Sequence, residues 1–400
     1  MSLTELETRQ FMSTSGLALR AGVDLEPPLG VARVVIVACA GISLGGAQIR
    51  CVETARALSA RGTPSHCAPD CSRETLHNLT KQRLKSVIFI RNLPGNMAAL
   101  HALRNTSCSL LLDTLDLSSI WHKRSCSDIQ FLSCLDGAIA NNRVSWGRIS
   151  ADCPRLARKP VYFIEHFHSS TRRVSDGSGW PAAPRRRPSA LLVQEHRVHG
   201  SVGYCNQVRD ALPPGTRFDC FPLWGGFAAP RTREGFFRKS LNMTSATVRT
   251  IAKQHFGVGA MFTAVYAKYD LLVQWLPTNS SAQRLTNALA SGVPVVARRC
   301  PAFEDAYGNN PDVLLAHDHE ELRVLTQRLA SSINLRRRVS DAGVAAASRF
   351  APDAVITRYL HAMDEAATAR VSVARQRGHA KGGARQVDQP AWCGSAFLRK

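Results

Sequence analysis

Two stretches of this 400-residue chain repeat one pattern: a near-continuous apolar run, a turn carrying glycine, then apolar residues at helical spacing. The first run is Arg33–Ala40 (RVVIVACA), followed by the turn Gly41–Gly46 and by Ala47–Ala60, with Ile49, Val52, Ala55, Ala57 and Leu58 at helical spacing and Arg61-Gly62 as its stop. A strand that is apolar throughout is buried on both faces, which predicts a parallel sheet covered by helices. Ser86–Ile90, Ser109–Leu112, Gly137–Ala140 and Val161–Ile164 continue the series. In the second half, Asp270–Leu276 (DLLVQWL), Val293–Ala297 and Asp312–Ala316 read as strands. Ser280–Ser291, ended by Gly292, and His319–Ala330 read as helices.

This is the grammar of an α/β protein with two Rossmann-like βαβ domains. A prior of about 150 residues per domain agrees with that number. Residues 1–30 form a loose leader ending in Pro27-Pro28-Leu29-Gly30, and 31–168 the N-terminal domain. A linker at 169–189 (SSTRRVSDGSGWPAAPRRRPS) is rich in Ser, Gly, Pro and Arg. The C-terminal domain spans 190–369, and a Gly- and Arg-rich basic tail spans 370–400.

The 44% hydrophobic content excludes collagen-like and fully disordered classes. The longest apolar run, Val34–Ile42, is roughly half of the ~20 residues that cross a bilayer. The polar, acid-containing start MSLTELETRQ matches neither a secretory signal nor a transit peptide, so a cytoplasmic setting is expected. The twelve cysteines are scattered, and Cys39 and Cys51 lie in apolar runs where free thiols act as small hydrophobes. His66, Cys67, Cys71 and His77 crowd four ligand types together, but the spacing is not that of a zinc finger, and a loop with free thiols is the plainer expectation. No metal or cofactor is expected.

Charge is the outlying property: 51 basic against 30 acidic residues, a net +21. Such a surface attracts polyanions. Basic clusters at Arg155, Arg158 and Lys159, at Arg172 and Arg173, and at Arg185–Arg187 suit an anionic membrane surface, and they keep nucleic-acid binding open as a rival class.

Four constellations carry chemistry. In the first, Gly41-Ile42-Ser43-Leu44-Gly45 spells GxSxG, but the nucleophile elbow that it resembles follows earlier strands and an oxyanion loop. As a phosphate-binding turn, Gly45 and Gly46 give backbone N–H groups close access to an anion, although GxxxGG is not the dinucleotide fingerprint. The second runs Asn279-Ser280-Ser281 into a helix bearing Arg284 and Asn287, at a strand's carboxyl end where open α/β sheets bind ligands. Arg284 in the first turn suits a phosphate. The third is Glu165-His166-Phe167-His168, where His166 or His168 offers a base. The fourth is Asp113 at a strand end, a cleft carboxylate or a helix cap.

The stretch Asp270–Tyr307, with ALASGVPVVA followed by Pro301-Ala302-Phe303-Glu304-Asp305, resembles the donor-binding region of GT-B fold glycosyltransferases. Ser43–Gly62 (SLGGAQIRCVETARALSARG) resembles the glycine loop and first helix of their N-terminal domain. The resemblance implies two domains facing a cleft, with a nucleotide-sugar donor held by the C-terminal one and a glycan, lipid or protein acceptor met by the N-terminal one. Transfer would proceed without a metal ion. It implies donor contacts from Gly45, Gly46, Asn279, Ser280, Ser281, Arg284, Asn287 and Glu304, with His166, His168 and Asp113 as catalytic candidates. Many such enzymes carry two glutamates where this chain has Asn279 and Asn287. An amide still hydrogen-bonds hydroxyls but neither carries charge nor acts as a base. A module that binds without catalysing is the other alternative.

Overall fold

The computed structural model describes residues 29–38, 49–90, 97–114, 129–166, 189–194, 201–222, 266, 269–275 and 282–382. They divide into two compact units. One runs up to Ile164 and takes back the chain from Ile356 onward; the other is Glu165–Val355.

The first unit is built on a six-stranded parallel sheet: β1 (Val34–Val37), β2 (Ser65–Ala68), β3 (Ser86–Ile90), β4 (Ser109–Asp113), β5 (Gly137–Ala140) and β6 (Val161–Phe163). Their order is β2-β1-β3-β4-β5-β6, every pair parallel. The strands β1, β3, β4 and β5 are buried at every position, as the apolar runs at their centres require. Within the helix expected over Ala47–Ala60, Ile49–Glu53 is a π-helical turn that leads into α1 (Thr54–Ala60). Gly62, with φ 80°, ends α1 in a conformation that costs other residues strain.

Three elements follow: α2 (Arg73–Thr80), α3 (Met97–Asn105) and α5 (Arg143–Asp152), with the short α4 (Ile129–Cys134) before β5. Ser72 and Asn142 cap α2 and α5 by accepting from the N–H groups of Thr75 and Ser145.

The expected thiol loop at His66–Cys71 is corrected: His66 and Cys67 lie on β2, and Cys67 is disulfide-bonded to Cys51, whose thiol was expected to be free. Cys51 leaves the π-helical turn pointing at the neighbouring strand, with 5.2 Å between the two Cα atoms, so a covalent bond replaces a van der Waals contact. Cys153 is also disulfide-bonded. Cys108 and Cys300 are buried free thiols.

The second unit holds a five-stranded sheet of β7 (Ser189–Gln194), β8 (Arg217–Pro222), β9 (Leu271–Gln274), β10 (Val295–Arg298) and β11 (Leu314–Ala316). The order is β11-β10-β9-β7-β8, again all parallel. Two apolar clusters cover its faces. Leu272 and Ala297 belong to the cluster shared with α7 (Gln283–Ala290); Leu271, Val273 and Trp275 belong to the one on the other face, with Ala190, Val208 and Leu322. The period of two in β9 is therefore explicit.

The remaining helices are α6 (Ser201–Ala211), α8 (Pro301–Tyr307), α9 (His319–Ser331) and α10 (Ile333–Ala347). Gly292 ends α7 with φ 74°. Gly343 on α10 lets that helix reach Leu289: a Cβ there would sit 2.9 Å from the leucine side chain. Arg336, 4% exposed, donates to the Leu329 and Ala330 carbonyls at 3.1 and 3.0 Å, near the end of α9.

The last helix, α11 (Pro352–Gly382), runs through residue 370, where a basic tail was expected to begin. From Ile356 it belongs to the first unit. Arg370 explains why the basic residue is not solvated. Its guanidinium donates to the main-chain carbonyls of Arg104 and Cys108, and to that of Thr106 at 2.6 Å, with Asp136 3.4 Å away. It thus satisfies carbonyls around the end of α3 that the helix itself leaves open. Lys85 and Asp364 add an exposed pair at 2.6 Å. The leader through residue 28, most of the expected linker and the tail beyond 382 lie outside the described residues. No described helix is long and apolar enough to cross a membrane.

Candidate functional site

In the second unit the site is built at the carboxyl end of β9 and on α7, the helix that packs against it. Thr286 on α7 is fully committed: its hydroxyl reaches the Ala282 carbonyl at 3.0 Å and the Tyr307 hydroxyl at 2.7 Å. Tyr307 stands edge-on to Phe350, with centroids 5.6 Å apart, and Arg349 lies over both rings. Burial drives the Tyr307 phenol far above its ordinary pKa, the Thr286 hydrogen bond and Arg349 work against that, and the Glu165 charge adds to it. The phenol is therefore a fixed neutral donor and acceptor.

Asn287, next along α7, differs. It is 5% exposed, yet its Oδ1 has no hydrogen-bond partner among the described residues. A buried acceptor left open costs about 1–3 kcal/mol, and such groups in folded proteins call for an explanation such as a ligand or bound water. A second open amide lies nearby in the chain: Gln274, the last residue of β9, is 2% exposed and its Nε2 is likewise without a partner. Sequence reasoning passed over Gln274, although a glutamine inside the apolar run DLLVQWL was a visible signal.

Charge at this edge comes from the end of β10. Arg298 lies over the buried Trp275 ring at 5.7 Å. Arg299 pairs with Glu304 at 3.0 Å, both partly exposed, so the expected donor contact Glu304 is engaged across the start of α8. Arg284 lies in the first turn of α7, but its side chain is outside the described part, as are Gly45, Gly46, His168, Asn279, Ser280 and Ser281. His166 is 2% exposed and follows the half-buried strand β6.

In the first unit, Asp113 closes β4 with a side chain 1% exposed. Its carboxylate sits 3.3 Å from the Arg50 guanidinium, and the Tyr359 hydroxyl of α11 donates to it at 3.1 Å. Arg50 also donates to the Tyr359 oxygen, to Asn141 Oδ1 just past β5, and to the Ile164 carbonyl at 2.5 Å just past β6. Asp113 therefore neutralises a buried arginine that ties three strand ends to α11. Burial also raises the Tyr359 phenol, with Arg50 opposing and the Asp113 charge reinforcing the shift. Arg50, Asn141 and Tyr359 were not legible as a site, since Asn141 and Tyr359 stand 91 and 309 residues from the arginine that joins them.

No protein-family model and no curated protein matches the sequence. Among solved structures, a glycosyltransferase from Rickettsia africae ESF-5 superposes with a TM-score of 0.58 at 10% identity, covering 84% of this chain and 99% of that one. Anabaena HepE in complex with UDP-glucose gives 0.54 at 11% identity, covering 83% and 99%. Sucrose-phosphate synthase from Thermosynechococcus elongatus gives 0.54 at 11% identity, covering 83% and 98%. At this identity the likeness establishes the fold: two parallel α/β units of the GT-B type, as the repeated strand and helix pattern predicts.

Proposed function

We propose that the chain is a glycosyltransferase that binds a nucleotide-sugar donor at the carboxyl edge of its second sheet and transfers the sugar to a glycan, lipid or protein acceptor. The observation that carries the reading is the unpartnered Oδ1 of buried Asn287, at the position where the sequence resemblance implies a donor contact. A sugar hydroxyl donating to it removes the cost of the open acceptor. That two of the structures with this fold hold UDP or UDP-glucose supports the donor class.

In the reaction so read, the bond between the anomeric carbon and the diphosphate oxygen breaks and a bond to the acceptor oxygen forms. The nucleoside diphosphate leaves with the bonding electrons, and the acceptor's proton passes to a base, for which His166 and His168 are the candidates. Arg284 and the backbone N–H groups of Gly45 and Gly46 are assigned to the departing phosphates, where positive charge and N–H donors act most strongly as negative charge develops. Asn279, Ser280, Ser281 and Glu304 remain donor-side candidates. Transfer needs no metal in this scheme, and activity in the presence of a chelator tests that element. Basic clusters would suit an acceptor presented at an anionic membrane.

The test is thermal unfolding of the full chain against UDP, GDP, ADP and CMP, with inorganic pyrophosphate as the charge control. A shift specific to one nucleotide is expected. Equal shifts with pyrophosphate, or none, would mean that the +21 surface collects anions without a donor site.

A further inference from the structure

The open donor at Gln274 and the open acceptor at Asn287 are independent facts about two packed elements, β9 and α7. Gln274 follows Leu272 by two, and Leu272 belongs to the cluster beneath α7, so the glutamine side chain is on the α7 side of the sheet. Its ladder partner, Ala297, is on the same face and carries only a methyl group, leaving the amide without a bulky or polar neighbour across the strand pair. A glutamine in this place weakens the core unless something accepts its hydrogen bond. Leucine or valine would have ended the strand at no such cost.

We propose that Gln274 is a ligand-contacting residue, its carboxamide N–H donating to a hydroxyl oxygen of the nucleotide sugar that Asn287 also engages. The inference rests on the donor-binding reading above and adds to it a residue on the strand itself. The chemistry selects the ligand group. One neutral donor and one neutral acceptor match a hydroxyl, which accepts and donates at once, whereas a phosphate offers only acceptors. Neither amide titrates, so the pair recognises the uncharged part of the ligand and leaves charge to the arginines.

The experiment uses the full chain with Gln274→Leu, which removes the amide while keeping the size, and Gln274→Met, which keeps the unbranched stem should leucine not fold. Affinity is measured for the nucleoside diphosphate that the unaltered protein selects, for its sugar conjugate, and for pyrophosphate. The expected result is about a tenfold weaker Kd for the nucleotide ligands in the variants, no change for pyrophosphate, and an unliganded Tm equal to or above that of the parent. A loss with both nucleotide ligands puts the contact on ribose; a loss confined to the conjugate puts it on the transferred sugar. Unchanged nucleotide affinity, or a lower unliganded Tm, overturns the role and makes Gln274 part of the scaffold. If the unaltered protein binds no nucleotide, the donor-binding reading itself fails, and that outcome is separate from a variant that matches a binding parent.

Discussion

Arg50 and Asp113 form an ion pair at 3.3 Å with both side chains only 1% exposed. Two charges taken that far from water persist only because each finds further polar partners. Here these are Tyr359, Asn141 and the Ile164 carbonyl. Removing one charge therefore does more harm than removing both. Asp113→Leu is expected to cost about 3–5 kcal/mol by stranding the arginine, and Arg50→Met combined with Asp113→Leu to recover much of it. Urea unfolding of Asp113→Leu, of Arg50→Met alone and of the double variant completes the cycle; additive losses would show that the pair is not coupled.

The same cluster predicts a smaller effect at its lid. Tyr359→Phe removes a hydroxyl that accepts from Arg50 and donates to Asp113, with an expected loss of about 1–3 kcal/mol. Arg370→Ala, which frees carbonyls around the end of α3, is expected to lose about 2 kcal/mol. Because Tyr359 and Arg370 lie at separate contacts along α11, their losses should add. Hydrogen exchange of α11 reads out whether the helix has detached.

Glu53, at the end of the π-helical turn, has its Oε1 buried without a partner among the described residues, and burial pushes its pKa from 4.5 to about 7, Arg56 acting in the opposite direction. The unfolded carboxyl ionises near its ordinary value while the folded one keeps its proton. The folded state thus holds the extra proton between those limits, and stability falls as pH rises from about 4.5 to 7 before levelling off. Glu53→Gln, which mimics the protonated form, should leave Tm little changed at pH 5 and raise it at pH 8, by at most about 3 kcal/mol in stability. An equal effect at both pH values would remove the titration from the explanation.

Cys51 and Cys67 close a loop of sequence separation 16. Cross-linking a loop of that length limits the unfolded chain by about 3 kcal/mol. A lower Tm in reducing buffer is expected for the parent protein, and Cys51→Ala with Cys67→Ala should reproduce the fall and no longer respond to reductant at this bond. Equal melting with and without reductant, with the thiols shown to be free by mass, would deny the staple a role in stability.

Asn287→Leu is expected to weaken nucleotide binding by about tenfold, roughly 1.4 kcal/mol, while sparing the unliganded fold, since an open acceptor is exchanged for an apolar group. Calorimetric titration with the selected nucleotide measures it. Unchanged affinity would detach α7 from the donor.

What was readable beforehand follows from burial. The strands β1, β3 and β4 announce themselves because both faces are covered and each carries an apolar run of three or four residues, interrupted only at the strand ends. The runs SHCA of β2 and RFDCFP of β8 mix polar with apolar residues, and β7 begins inside an arginine- and proline-rich stretch, so composition hid all three. Asn287 was legible because local sequence around it carries a pattern. Its open acceptor was not, nor was the donor on Gln274, since a missing hydrogen bond is a property of neighbours in space. Arg50 was passed over for a related reason: a lone arginine beside Ile49 and Cys51 looks solvated until a carboxylate 63 residues away in the sequence is brought against it.

The return of α11 to the first unit bears on how the protein is made. A ribosome releases the strands of that unit early, with Arg50 and Asp113 already able to meet, but Tyr359 and Arg370 emerge only after the whole second unit has been synthesised. The first unit must therefore wait, unsealed, for about two hundred residues of translation. Its completion depends on the last helix to leave the ribosome, so a truncated chain lacking α11 is expected to lose stability in the first unit while the second keeps all of its own strands.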